Sequence, residues 1–524
     1  MRIKLPIQPS GKRYFQTWNG KLNILKYNSS FLQLHNGETM SGLFGVVSNN
    51  NCISSLYYGT DYHTHLGTEY GGIAFIEKNG MPVKKIHDIK NSQFKSKFYE
   101  GSDKIKSHLG IGVISDKDPQ PLTFESKFGA FAICCAGLVA NKETLAHELI
   151  GKGISFSEID HGDINTTELV AHLINQGNSI TYGIERMYDK IIGSISLLLL
   201  TKKGIYCARD RNGVTPLAIG QKEGEVAVAS ETCAFPNLGF SIKKYVTAGE
   251  IVFISKKGIE EKKKGRHLSK ICAFLWVYTG FPTSSYEGIN VEKVRESCGR
   301  FLAKRDHVKV DLVSGIPDSG VAHAIGYAIE SGIPYRRVLI KYTPGYGRSY
   351  TPLSQELRDR IALMKLIANE AIAHGNRIVL CEDSIVRGTQ LKNYTVAKLM
   401  QAGAKEIHVR PACPPLMFPC VFNLSTRSIQ ELVARKAIRA LEGKDIEDVS
   451  EYLNPASEKY TKMVEWIARD LGVTSLQYQL LDDMVKAIGL PKERLCLYCW
   501  IGRGIQKNLQ SYQNVVNKEI LTYK

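Results

Sequence analysis

Within "RIVLCEDSIVRGTQL", Arg377 to Leu391, an apolar run at Ile378 to Leu380 delivers two carboxylates, Glu382 and Asp383, and then a short turn. That turn holds Ser384, Ile385, Val386, Arg387, Gly388 and Thr389 ahead of a predicted helix. Ligands of open α/β sheets bind beyond the carboxyl ends of strands. Small and hydroxylated residues there can present backbone N–H groups to a phosphate at a helix N-terminus, where the helix dipole also favours an anion. The paired acids suit ribose hydroxyls or a Mg²⁺ ion, which prefers carboxylate and phosphate oxygens. A second chemical signal is the CxxC pair Cys496 and Cys499, which points to metal or redox work. The histidines His63 and His65 are two residues apart, as metal ligands can be, but no third ligand accompanies them in the sequence.

The elements that position these residues follow from periodicity. Between Ser41 and about Ser255 the chain is a series of short β-rich runs, including Gly42 to Val47, Gly72 to Phe75, Ala130 to Cys134, Ser194 to Leu200 and Glu225 to Ala229. One helix is predicted over Glu168 to Ile174, with caps available at Asn165, Thr166 and Thr167 and an end near Gly177. Two packed sheets with flanking helices fit this half. From about Glu292 strands and helices alternate: Val310 to Val313, Ala322 to Ser331, Val338 to Lys341, Leu357 to Asn369, Ile378 to Cys381, Tyr394 to Gly403 and Ile407 to Arg410. That succession predicts right-handed βαβ units and a parallel sheet. A helical tail from about Glu442 closes on Leu495 to Trp500.

The Arg377 segment closely resembles the phosphoribosylpyrophosphate signature of type I phosphoribosyltransferases, in the form found in the amidophosphoribosyltransferase family. "GIPDSGVAHAIGYAIESGIPY" resembles that family's pyrophosphate loop and following helix, and "IKYTPGYGRSYTPLSQELR" its closing loop. "YCARDRNGVTPLAIG", "ASETCAF" and "EGINVEKVR" extend the likeness from about Ser41 to Cys499. The resemblance implies a class II glutamine amidotransferase-like αββα domain of the Ntn-hydrolase type over 41–270, and a doubly wound phosphoribosyltransferase domain over 271–441. A helical tail over 442–524 and an extension over 1–40 complete the expected order.

Position by position, it implies that Pro317, Asp318, Ser319 and Gly320 bind pyrophosphate, and that Ser319, Glu382 and Asp383 hold Mg²⁺. Ser384 to Thr389 would cradle the 5-phosphate, with Lys341 and Arg348 as closing-loop cations. The implied reaction displaces pyrophosphate from phosphoribosylpyrophosphate by ammonia, giving phosphoribosylamine for purine synthesis. Gln390 departs from the family's small hydroxyl residue, and "YTGFPTSS" lacks its arginine.

The glutamine-cleaving half departs further. The family's N-terminal nucleophile is a cysteine whose own amine is the base; here the position is Ser41, behind 40 residues. Leu66, between His65 and Gly67, stands where the family has arginine, and "LGIGVISD" contains no arginine for the glutamine carboxylate. The oxyanion asparagine falls at Ala136, leaving Gly137, a loss of about 3 kcal/mol of transition-state stabilisation. The aspartate that receives the substrate amine falls at Thr166. The expectation is a glutaminase domain that keeps its fold without its reaction, the transferase being fed by free ammonia or an ammonia-supplying partner. A non-catalytic relative that binds phosphoribosylpyrophosphate or nucleotide and regulates a true enzyme is the alternative.

Cysteine placement adds a cofactor. Cys233 and Cys420, with Cys496 and Cys499, fall where cluster-bearing members of the family place ligands, implying a 4Fe-4S cluster, with zinc as chemical rival. The family also implies purine nucleotides as inhibitors and a homotetramer.

Composition sets the bounds. The chain has 524 residues, 43% hydrophobic and 23% charged, in the ordinary globular range. Twelve scattered cysteines do not form a secreted disulfide framework, no apolar stretch is long enough to span a bilayer, and with charge but no apolar h-region in Met1 to Trp18 a secretory signal is not expected. A cytoplasmic enzyme is expected. The surplus of 68 Lys and Arg over 51 Asp and Glu gives +17, which attracts anions. The lysines come in short clumps such as Lys262 to Lys264 without interleaved aromatics, which favours a solvated surface over nucleic-acid binding.

Overall fold

The computed structural model describes residues 41–90, 92–98, 104–160, 163–266, 269–342, 364–420, 422 and 429–504. The expected extension 1–40 and the expected lid cation Arg348 lie outside the described residues.

The first half is a four-layer αββα stack. A seven-stranded sheet runs in the order Ser241–Tyr245, Ala218–Lys222, Glu225–Ala229, Ser41–Ser48, Leu109–Ser115, Tyr70–Ile76, Pro82–Asp88. A six-stranded sheet runs Gly258–Lys263, Ile251–Ser255, Gly204–Ala208, Gly193–Thr201, Phe131–Val139, Leu122–Phe124. All pairings within the two are antiparallel. Leu43, Ile111, Cys134, Leu198 and Val228 fill the space between the sheets. The helix Ile53–Asp61 covers one outer face and the helices Lys142–Ile150, Thr166–Asn175 and Ile180–Lys190 the other. Central strands are therefore covered on both sides, which is why "GSISLLLLT" reads as a continuous apolar run rather than an alternating one. Asn165 caps Thr166–Asn175 as expected, its side chain accepting the N–H of Thr167 at 2.8 Å and of Glu168 at 3.4 Å.

The second half is built on a parallel four-stranded sheet ordered Leu312–Gly315, Arg377–Glu382, Glu406–Pro411, Ser475–Leu476. Its residues alternate between two cores, Val313, Val379 and Cys381 on one face and Leu312, Ile378 and Leu380 on the other. The helices Val291–Lys304 and Gly320–Ser331 pack on the first face, and Val433–Glu442 and Glu458–Leu471 on the second.

Two expectations are corrected here. Leu339–Lys341 does not join the parallel sheet, and the helix expected through Asn369 gives way to a strand, Leu366–Ala368. These two strands pair antiparallel, Leu339 opposite Ala368 and Lys341 opposite Leu366, so cross-strand pairing overrides local helix propensity. The tail also contributes a strand, Ser475–Leu476, that its helical pattern conceals.

Candidate active site

At the carboxyl ends of the parallel strands, Gly315 and Cys381 lie side by side in register. Each strand then turns into a loop and a helix, so the two loops face each other. Ser319 ends the first loop as N-cap of Gly320–Ser331, and its hydroxyl donates to Asp383 Oδ2 at 2.5 Å. Ser384 Oγ donates to Asp383 Oδ1, also at 2.5 Å. Asp383 is buried, and its N–H donates to Glu382 Oε1 at 3.0 Å. Burial, then the adjacent Asp383 charge, pushes the Glu382 carboxyl well above the usual range. Gly320 fits because a Cβ there would stand 2.6 Å from the Cys381 carbonyl, so helix and strand approach more closely than a side chain permits.

The sequence-derived pyrophosphate and ribose-phosphate segments therefore meet. The Pro317–Asp318 peptide is cis. Lys341 Nζ reaches across to Asp318 Oδ2 at 2.5 Å. In the second loop Ile385 is buried and Val386 half-buried. Val386 accepts from the Val433 N–H at 2.8 Å through its carbonyl, which fixes the turn against the helix Val433–Glu442. Gly388 adopts φ +77°, a left-handed conformation that favours glycine. Its carbonyl accepts the Lys392 N–H at 2.9 Å. Thr389 is exposed, and Arg387 pairs with Glu431 at 2.8 Å.

The donor set formed by Glu382, Asp383 and Ser319 fits Mg²⁺. It is all oxygen, and the Asp383 charge opposes ionisation of the Glu382 carboxyl, a repulsion that a divalent cation relieves.

A second cavity, holding about 40 Å³, lies where the first half meets the segment 272–286. Ser41, Leu66, Ala136 and Gly137 line it together, so these four positions converge. Ser41 opens its strand opposite Ser115. Gly137 has φ +133°, and a Cβ there would fall 1.9 Å from the Ser194 carbonyl, so glycine is required. Thr166 does not line the cavity; its N–H donates to Asp118 Oδ2 at 3.1 Å at the start of its helix.

Glu231, buried on the cavity wall, was not singled out by sequence. It accepts from Tyr286 OH at 2.6 Å, Ser284 Oγ at 2.9 Å and the Phe281 N–H at 3.2 Å. His65 Nε2 stands 3.0 Å from its Oε2. Burial would raise this carboxyl, but His65 and then the Tyr286 hydrogen bond outweigh it and hold the group at about 2. His63 Nδ1 faces the Gly59 carbonyl at 2.8 Å and its Nε2 accepts the Glu231 N–H at 3.2 Å. Burial lowers it to about 4.

The four expected cluster cysteines, Cys233, Cys420, Cys496 and Cys499, are all buried. Cys233 Sγ faces Glu231 Oε2 at 3.5 Å and the Tyr62 carbonyl at 3.8 Å. Cys272, not expected from the sequence, lies beside Cys496 and Cys420. It pairs with Cys496 across a short parallel bridge, and Cys420, Cys496 and Cys272 together raise the Cys499 thiol, Cys420 by a direct hydrogen bond. All four are buried. Their soft sulfur chemistry fits an iron–sulfur cluster or zinc. Among the described residues, no three or more His, Cys, Asp or Glu stand in a metal-holding arrangement.

Cys272 lacks a CxxC spacing, and Glu231 gains its partners from 281–286, so neither carried a local signal. Arg295 is a third buried residue that sequence missed. Its guanidinium donates to the carbonyls of Trp276 at 3.0 Å and of Tyr278 and Gly280 at 2.8 Å. It thereby holds the turn Leu275–Thr279, part of which lines the second cavity.

A glutamine amidotransferase domain model matches residues 106–237. The amidophosphoribosyltransferase of Methanocaldococcus jannaschii is 32% identical over 490 residues, covering 88% of this chain and 97% of that protein. The amidophosphoribosyltransferase of Bacillus subtilis is 30% identical over 478 residues, covering 88% and 93%. The solved Bacillus subtilis glutamine phosphoribosylpyrophosphate amidotransferase, complexed with ADP and GMP, superposes with a TM-score of 0.75 at 30% identity, covering 89% of this chain and 98% of that one. A structure described as the allosteric regulatory enzyme of purine biosynthesis also gives a TM-score of 0.75 at 30% identity, over 88% and 95%.

Proposed function

The chain belongs to the amidophosphoribosyltransferase family, and from that premise we propose that it transfers the phosphoribosyl group of phosphoribosylpyrophosphate to ammonia, without cleaving glutamine itself. The observation that carries the transferase reading is the meeting of Ser319, Glu382 and Asp383 between two loops at the ends of adjacent parallel strands.

Bound Mg²⁺ would be held by Glu382, Asp383 and Ser319 and would neutralise charge on the departing pyrophosphate. The loop 317–320 offers its backbone and the N-terminus of Gly320–Ser331 to that group. Lys341 already lies across the loop on Asp318 and can exchange this exposed partner for a pyrophosphate oxygen. Ser384 to Thr389 would receive the 5-phosphate on backbone N–H groups, with Gly388 allowing the tight approach. The family relation supports purine synthesis as the setting and purine nucleotides as regulators.

The ammonia-fed reading is supported by the cavity around Ser41. Its wall carries Leu66 and Ala136 where a guanidinium and an amide would be needed to grip glutamine and an oxyanion. For the cluster, the reading shifts to Cys272, Cys420, Cys496 and Cys499. The bridge of Cys272 to Cys496 ties the tail to the segment that follows the first half. Titrating phosphoribosylpyrophosphate with Mg²⁺ into the protein in a calorimeter tests the site. Binding that is lost in Asp383→Ala is expected, and absence of heat in the unmodified protein would overturn the transferase reading.

A further inference from the structure

Six lysines that are far apart in sequence are gathered by the fold onto one end of the αββα stack. Lys202 and Lys203 form the turn between Gly193–Thr201 and Gly204–Ala208, and Lys256 and Lys257 the turn between Ile251–Ser255 and Gly258–Lys263. Gly204–Ala208 pairs with both Gly193–Thr201 and Ile251–Ser255, so these two turns are neighbours. Lys127 sits in the next turn along, because Phe131 lies opposite Thr201. Lys78 comes from the other sheet, in the turn closed by Gly80, where a Cβ would lie 3.9 Å from the Lys202 side chain. All six are exposed, and among the described residues none is in an ion pair; Lys127 lies over the Phe128 ring at 5.3 Å. Only Glu77 and Glu125 share these four turns as acids.

The emptied cavity is at the opposite end of the same strands. Gly137 and Ile195 pair near the cavity, whereas Phe131 and Thr201 pair beside the lysine turns. The rim is therefore separate from the cavity around Ser41, and none of its lysines is among the transferase positions. Six unpaired like charges in short turns repel one another, and a dense row of phosphates relieves that repulsion while releasing its own counterions. The choice of lysine gives point-charge contacts without the forked geometry that reads bases. The four turns carry no exposed aromatic platform for unstacked bases. An acidic protein partner would need a buried apolar centre, and the only exposed large apolar residue beside these turns among the described residues is Met81.

We propose that this lysine rim is a binding surface for the phosphate backbone of duplex nucleic acid, without base specificity. The test uses the full chain and a fluorescent 30-base-pair duplex of arbitrary sequence, with anisotropy read across a salt series. Binding whose affinity falls with salt at a log–log slope of about −5, the value for six phosphate contacts, is expected. Reversing four charges, K202E/K203E/K256E/K257E, should weaken binding by at least about a hundredfold at low salt. The same number of reversals at K304E/K444E/K462E/K486E, away from the rim, should weaken it far less. Ammonium-dependent pyrophosphate release, measured in parallel, should be unchanged by the rim variant and shows that it folds. The proposal is overturned by absence of duplex binding at low salt, by binding that survives the rim reversals, or by an equal loss in the control. Tighter binding to phosphatidylserine vesicles than to the duplex would overturn it as well.

Discussion

Ser319 donates its hydroxyl to Asp383 at 2.5 Å, joining the N-terminus of one helix to the carboxyl end of the neighbouring strand's loop. The bond joins the two loops that would share the cation. Replacing Ser319 by alanine removes a charge-assisted hydrogen bond of about 2 kcal/mol. The KM for phosphoribosylpyrophosphate with Mg²⁺ should rise about tenfold or more, with a smaller change in melting temperature. An unchanged KM would remove Ser319 from the site.

Gly388 holds φ +77° in the turn that would take the 5-phosphate. An alanine there adopts a left-handed conformation at a cost of about 1 kcal/mol or more, and its Cβ would crowd Leu471 at 3.2 Å. Gly388→Ala is expected to lower thermal stability slightly and to weaken binding of ribose 5-phosphate several-fold, read by calorimetry. Ordinary binding would show that the turn does not meet the phosphate.

Glu231 gives the fold an acid-sensitive joint. Its carboxyl is held at about 2, below the ordinary 4.5, so it stabilises the folded state fully above pH 4.5 and less as pH falls toward 2. Chemical denaturation at pH 7 and pH 3 should show this loss. Glu231→Gln should be less stable at pH 7 by about 3 kcal/mol and should flatten the decline between the two pH values. A variant with the same slope as the unmodified protein would place the acid-sensitive group elsewhere.

Cys272 meets the thiols of Cys420, Cys496 and Cys499, which sets it against the expected Cys233 as fourth ligand. After anaerobic reconstitution with iron and sulfide, Cys272→Ser should bind less iron than the unmodified protein, while Cys233→Ser should bind the same amount. The reverse pattern would restore the set read from sequence.

Much of this architecture was legible because local and tertiary preferences agree. The apolar run Ile378–Leu380 became a central strand, and Asn165 capped the helix it precedes. The acid pair was legible because its chemistry is contiguous, strand, acids and turn in order. What remained hidden depends on partners distant in sequence. Leu366–Ala368 is a strand only because Leu339–Lys341 pairs with it. Cys272 becomes one of four thiols only through its bridge to Cys496, and Glu231 collects donors from a segment about fifty residues onward. The lysine rim escaped notice for the same reason, being built from turns that only sheet register brings side by side.

The most direct measurement compares nitrogen donors. Purified protein is incubated with phosphoribosylpyrophosphate and Mg²⁺ plus either ammonium chloride or glutamine, and both pyrophosphate and glutamate are quantified. The expected result is pyrophosphate release with ammonium, abolished by Asp383→Ala, with no glutamate formed from glutamine. Glutamate appearing in step with pyrophosphate would contradict the proposal that the pocket around Ser41 does not cleave glutamine, and no pyrophosphate with either donor would contradict transfer chemistry itself.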